Sequence, residues 1–516
     1  MPRLSINSRI AICALACLAG TAIAQPTITS LGSGTPQGVS NPVSGTTYIS
    51  GSNGQAVLWT LNGATLTQTA MGGAGGGRIS ADGANFVGTA LHSPQTISGN
   101  TATGVTPAFS TTPTLVSTLL PANENFARRW DGSAWQSLGG LPITPSLMVY
   151  GSGSSGGSGG NFMSPHNISP NGRYVCGQGY ISSYNSAAGT TISNNTFQWR
   201  AWVHDSLTAT TTVLPTPFRT SSNTWRRRTG NAYAVSNDGL VILGAQEHNV
   251  AGTPTADPDG GRPVVWRWNS GTSQYDMSYL PNGVNGSGFP YTVSSTPGTF
   301  QMNSTGTIIV GTAVDNTGNT FLAKWTWNAG TSSWNAPTIL GNGTTLDTAA
   351  TWLPVSVTSC GLPPRLSITG MSEDGNTVVG TAVYSTCGSF MSGGFIWTNA
   401  TNQIMDWYDF NVAAGTPNIT ANYGPVEDGD GNPLTGLCKL GFPSAISPDG
   451  NTIAGFQGGT QVIPGAPPWV VQLTGGTACV APAVTLNPTS PTNFSACTSN
   501  IILNAGALGT GPLTYQ

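Results

Sequence analysis

Charge is nearly absent from this chain: 7% of its 516 residues are Asp, Glu, Lys or Arg, against roughly a quarter in an ordinary soluble protein. With 16 Lys plus Arg, 19 Asp plus Glu and a net charge of −3, it has no general attraction for nucleic acid or acidic membranes. Histidine is scarcer still, with four in the whole chain. Neither the G-x-S-x-G elbow of the hydrolases nor an S-x-D-x-G-x-T-W box of the sialidase type is present. Beyond the N-terminus no apolar run approaches the ~18 to 20 residues of a membrane span, so no transmembrane segment is expected.

In place of charge there are 70 Gly and 36 Pro, with the 38% hydrophobic residues spread in short runs. That texture excludes disorder and long helices and leaves a large all-β fold rich in turns. The N-terminus reads as a signal peptide over 1–24. Arg3 and Arg9 precede the apolar run 10–23, and Ala22-Ile23-Ala24 supplies the small residues of a cleavage site before Gln25. A lipoprotein signal would use Cys17, but Ala14 stands where such a motif usually carries Leu. Export exposes the six remaining cysteines to oxidation.

The stretch 365–397 is the unit that the chain repeats. Its two β-branched, apolar runs flank Asp374-Gly375, and a third run ends in Phe395-Ile396-Trp397. The same hairpin begins at Ser80, Ser169, Ser236, Asn303, Ser372 and Ser447. Each time a closing glycine follows eight residues on, at Gly88, Gly177, Gly244, Gly311, Gly380 and Gly455. A degenerate copy starts at Ser40. Each hairpin leads to an aromatic third strand and then to a fourth strand carrying Leu-Gly or Leu-Pro, such as Leu138-Gly139 and Leu280-Pro281. Four strands per unit make a propeller blade. Seven third strands but only six fourth strands leave the last blade short, and 27–32 has the missing Leu-Gly pattern. The expectation is an all-β, seven-bladed propeller of four-stranded blades over 25–476, closed by its N-terminus.

The repeated S-x-D-G-x-x-V-V-G followed by A-F-x-W resembles the HAF-type extracellular repeat family of bacteria over 39–473, and 445–455 resembles that family's closing unit. The resemblance implies a propeller-like architecture and no particular mechanism. The S-P-D-G turns also resemble the TolB-like propeller repeat. Asn303 to Thr305 departs from the pattern, lacking both Ser and Asp. From Cys479 the sequence turns Pro- and Thr-rich, and 477–516 resembles the start of a bacterial immunoglobulin-like domain, incomplete where the sequence stops.

Few residues stand out chemically. The register-matched Asp82, Asp238, Asp374 and Asp449 are turn formers before they are calcium ligands, because one carboxylate per turn falls far short of the oxygens calcium takes. Asp428, Asp430 and Asn432 are the better calcium candidates, at alternating positions of one loop; otherwise no cofactor is expected. Yet Pro433 and Lys439 break the EF-hand pattern there. His92 and His248 fall on equivalent loops but lack a third ligand. His204-Asp205 and Glu247-His248 are strand neighbours and so point to opposite faces. Arg226, Arg227 and Arg228 form the one basic run, a candidate grip on an anionic glycan set against a solvated loop. The recurring tryptophans read as core between sheets rather than as carbohydrate platforms. Cys176 occupies an apolar register position and is expected to be buried and free. Cys360 and Cys387 flank the 374–375 turn almost symmetrically and are expected to pair. Cys479 and Cys497 can pair likewise, leaving Cys438.

Strand order places the short turns on one rim and the insertions 92–123, 178–196, 218–228 and 411–439 on the other. Long loops on a rigid scaffold carry function. The reading is a secreted or cell-surface, non-enzymatic propeller that binds a glycan or protein. Two alternatives remain: a propeller lyase or glycosidase, with two of Asp257, Asp259 and Glu247 converging near the axis, and a purely structural envelope component.

Overall fold

The computed structural model describes residues 25–72, 75–91, 125–138, 162–182, 197–215, 230–247, 261–284, 290–293, 300–315, 320–341, 365–385, 390–427, 433–457 and 467–473. Seven antiparallel sheets account for nearly all of them. Their innermost strands, in blade order, are Thr35–Val39, Gly75–Ile79, Phe162–Ile168, Gly230–Val235, Gln301–Met302, Arg365–Met371 and Phe442–Ile446. Each inner strand packs against the next, and the seventh packs against the first, so the ring is closed around an axial channel. The N-terminal strand Thr27–Ser30 pairs with Trp469–Gln472 and supplies the outer strand of blade 7, as the missing fourth strand requires.

The hairpin register also follows the sequence. Arg365 faces Val383 and Met371 faces Val378, with a one-residue shift between Ile368 and Gly370. The same bulge recurs in the inner strands of blades 1, 3, 4 and 7, between Pro36 and Gly38, Pro165 and Asn167, Ala232 and Ala234, and Pro443 and Ala445. A bulge leaves one residue unpaired and sharpens the twist.

The repeat residues each perform a definable task. The turn serine is buried in every copy that has one, and in all but the degenerate copy at Ser40 its hydroxyl donates to the side chain two residues on and accepts the backbone N–H five residues on. In blade 4 these bonds are Ser236 Oγ to Asp238 Oδ1 at 2.6 Å and Val241 N to Ser236 Oγ at 2.9 Å. The departure at Asn303 is repaired by its own amide, whose oxygen accepts from both Thr307 N and Ile308 N at 2.9 Å. The turn glycines have φ between 65° and 77°, and a Cβ there would also strike the preceding blade, as at Gly239, 2.5 Å from Tyr174 Cε1. The closing glycine clears space for the blade's own ring: a Cβ on Gly177 would lie 2.0 Å from Ser164 O and 2.8 Å from Trp202.

In blades 1, 4 and 5 tryptophan and leucine stitch the blade to the one before. Trp59, Trp202, Trp266, Trp325, Trp397 and Trp469 are fully buried, so the core reading of these rings holds. Indole N–H groups of Trp59, Trp266 and Trp325 donate to Leu31 O, Pro215 O and Pro281 O at 3.0, 2.8 and 2.9 Å, the Leu-Gly or Leu-Pro ends of the preceding fourth strands. Burying an indole with its N–H satisfied gains apolar area without an orphaned donor.

Two features depart from the simple repeat. Blade 5 is a seven-stranded sheet, with Gly283–Val284, Pro290–Val293 and Ser333–Trp334 added to the expected four. After blade 6 the insertion 411–439 is partly helical: Trp407–Ala413 and Ile419–Tyr423 precede a small hairpin, Pro425–Glu427 with Pro433–Cys438. Asp406 caps the first helix, accepting from Tyr408 N at 2.9 Å and Asp409 N at 3.2 Å. Trp407 stacks on Trp469 with centroids 5.5 Å apart, which fixes the helix against blade 7.

Candidate functional site

The two rims differ in kind. On the turn rim the residue after each repeat serine, or its neighbour, donates to the next blade. Asn41 N reaches Ala81 O at 2.8 Å, Ala81 N reaches Pro170 O at 2.7 Å, Asn237 N reaches Ser304 O at 2.7 Å and Glu373 N reaches Pro448 O at 2.7 Å. Proline has no N–H to give, so Asn171 N and Asp449 N take over and find the side-chain oxygens of Asn237 and Asn41, each at 2.8 Å. Ser304 N completes the circuit at the Glu373 carboxylate, 2.7 Å away. Seven links close a ring of hydrogen bonds running in one direction. Arg129, Arg267 and Lys324 brace it by donating to the turn carbonyls of Gly172, Gly306 and Gly375 in the following blade.

The strand ends that lead from second to third strand and from blade to blade, among them those that flank 92–124, 183–196, 216–229 and 342–364, lie on the opposite rim. Those segments lie outside the described residues. With them go Arg226, Arg227 and Arg228, the calcium candidates Asp428, Asp430 and Asn432, and His92, His248, Asp257, Asp259, Cys360 and Cys387. Residues 1–24 and 477–516 lie outside as well. Among the described residues no three His, Cys, Asp or Glu side chains converge as a metal site, and no helix is long and apolar enough to cross a membrane.

The predicted residues that are described behave as structure. Cys176 is free and wholly buried, and burial pushes its thiol far above the ordinary range, so it packs as a small hydrophobe. Asp82, Asp238, Asp374 and Asp449 each accept the repeat serine's hydroxyl at 2.5–2.6 Å, which confirms them as turn formers. His204 and Asp205 diverge, as strand neighbours must. His204 Nδ1 lies 2.8 Å from Thr211 Oγ1 and burial pushes its pKa down to about 4, whereas Asp205 takes both nitrogens of the Arg173 fork, at 2.8 and 2.7 Å.

Sequence reasoning missed a set of half-buried positions on the innermost strands. Three residues before the repeat position stand Gln37, Gly77, His166, Tyr233, Phe300, Thr369 and Ser444, and all but Phe300 are only half-buried on the innermost strands. Thr369 and Ser444 hydroxyls donate to Pro443 O and Pro36 O of the following blades, both at 2.7 Å. His166 Nδ1 lies 3.1 Å from Ala232 O, so it carries the proton in the neutral ring, which stacks on Tyr233 at 5.2 Å. Burial lowers the His166 pKa and keeps that neutral form. Blade 2 has only Gly77 here, and its neighbour Arg78 reaches from blade 2 to Thr369 O of blade 6 at 2.7 Å. The signal available in sequence was a lone Arg in Gly76-Gly77-Arg78-Ile79, where the other copies carry Gly, Asn, Ala or Gln.

In overall shape the chain is similar to oligogalacturonate lyase in complex with manganese, at 10% identity and a TM-score of 0.41 over 88% of this chain and 98% of that one. It is also similar to TolB from Acinetobacter baumannii, at 10% identity and 0.30 over 77% and 67%. The acylaminoacyl peptidase of Pyrococcus horikoshii follows at 8% and 0.35 over 72% of this chain and 46% of that one. Likenesses of this degree carry no functional argument. No protein-family model and no curated protein matches the chain.

Proposed function

We propose that this chain is an exported, non-enzymatic propeller of the HAF-type repeat class that presents its insertion-bearing rim to an extracellular glycan or protein, with 477–516 as the start of an immunoglobulin-like spacer. The observation that carries the reading is the asymmetry of the rims. One rim is locked by short turns whose backbone donors are spent on neighbouring blades, while every long connection leaves from the other. A rigid scaffold with variable segments gathered on one face is the arrangement that recognition uses.

The test replaces 92–124 and 183–196 by tight two-residue turns and compares glycan-array and protein-partner binding with the full chain. Binding should be lost while the melting temperature stays close to that of the parent. Undiminished binding after both replacements would remove the rim from consideration. Export further implies a Cys360–Cys387 cross-link, to be seen by non-reducing peptide mapping.

A further inference from the structure

In a chain this poor in charge, the partners of a cation are informative. Four of the described cations have evident structural roles: Arg173 pairs with Asp205, Arg267 lies 3.7 Å over Trp327, and Arg129 and Lys324 brace the turn ring at the seams between blades. Arg78 fits none of these roles. It springs from the innermost strand of blade 2, and its Nη2 spans the axial channel to Thr369 O of blade 6. Among the described residues no carboxylate lies within ion-pairing distance of it. A guanidinium has five N–H donors, and one is used. None of the others is a buried atom left without a partner, and the side chain as a whole is half-buried.

A strut would be poorly served by this residue. Holding a cation in a restricted, low-dielectric space against one neutral carbonyl costs stability, and burial lowers the Arg78 pKa to about 10. A neutral amide could make the same bond without that cost. The surroundings say what would offset the charge. Gln37, His166, Tyr233, Thr369 and Ser444, half-buried on the innermost strands, carry no charge: neutral His166 leaves Nε2 as an acceptor, and the two hydroxyls spend their protons on backbone carbonyls. One planar fork with a single positive charge matches one carboxylate.

We infer that Arg78 anchors a site in the axial channel for a small organic monocarboxylate, a site separate from the insertion-bearing rim. Sharing no residue with that rim, it stands or falls independently of the rim reading.

The experiment uses the full chain, with formate, acetate and glucuronate as probes, acetamide and glucose as their uncharged counterparts, and inorganic phosphate as the competing class. Calorimetric titration and melting curves should show the carboxylates binding and raising the melting temperature, with the neutral compounds silent and phosphate weaker. Arg78→Gln should weaken carboxylate binding at least tenfold while melting no lower than the parent without ligand. Arg78→Lys, which keeps the charge and loses the fork, should fall between the two. The inference is overturned by a parent that binds none of the three carboxylates, by phosphate outcompeting them, or by binding that survives Arg78→Gln. A ligand-free Arg78→Gln protein that melts lower or fails to fold would make Arg78 a strut and overturn it equally.

Discussion

At the scale of the residue, two kinds of glycine are distinguished by what a methyl group would meet. Gly177→Ala drives Cβ to 2.0 Å from Ser164 O and into Trp202, neither of which has room to yield, and is expected to destabilise by about 2–4 kcal/mol. Gly63→Ala has φ of 57° but nothing within 4 Å, so only backbone strain remains, about 1 kcal/mol. Urea denaturation of both variants checks the ranking, and equal losses would refute it. His204 sets a pH window. Its pKa falls from 6.5 in the unfolded chain to about 4 on burial, so at low pH the unfolded state binds the extra proton. Stability from this residue is complete above about pH 6.5 and is lost as pH drops toward 4, on the order of 3 kcal/mol in all. His204→Gln should flatten that part of the pH–stability curve; a parent whose urea midpoint is constant across the window would contradict the argument. At this scale the turn serines, glycines and core tryptophans were legible, because spacing alone fixes their tasks. Arg78 was not: it lies inside the register irregularity between Gly76 and Ile79, where simple alternation does not assign a face.

At the scale of the element, the N-terminal strand and the helix after blade 6 make opposite lessons. The strand was read from a count of fourth strands, and its Leu31 carbonyl also receives the Trp59 indole, so it joins blade 7 to blade 1. A chain that begins at Ser33 and so lacks this strand should therefore melt lower and over a broader transition than one that begins at Gln25; an unchanged transition would show the strand to be dispensable. The helix Trp407–Ala413 escaped the sequence because seven residues are too few for a periodicity to declare itself. Its stability is tertiary, resting on the Trp407–Trp469 stack and on the Asp406 cap. Asp406→Ala is expected to cost about 1–2 kcal/mol, read by chemical denaturation. The additions to blade 5 were hidden for a related reason, since strands of two to four residues containing Pro290 carry no strand signature of their own.

At the scale of the whole molecule, the turn ring makes each blade's chemistry depend on its neighbour's. Asn237→Ala removes the acceptor of Asn171 N and should cost about 1–2 kcal/mol. In a Pro170→Ala background the N–H returns at position 170 and the loss should shrink, a coupling that a double-mutant cycle measures directly. Two independent, additive losses would show that the ring link is not what Asn237 provides. The ring therefore imposes a grammar on the order of the repeats. Each copy written with proline after its serine, at Pro170 and Pro448, is followed around the ring by a copy written with asparagine, at Asn237 and Asn41. A transposed blade that set a proline copy before one without that asparagine would break the ring there, so at three of its seven links the order of the units is written in their own side chains, much as letters constrain which letter comes next.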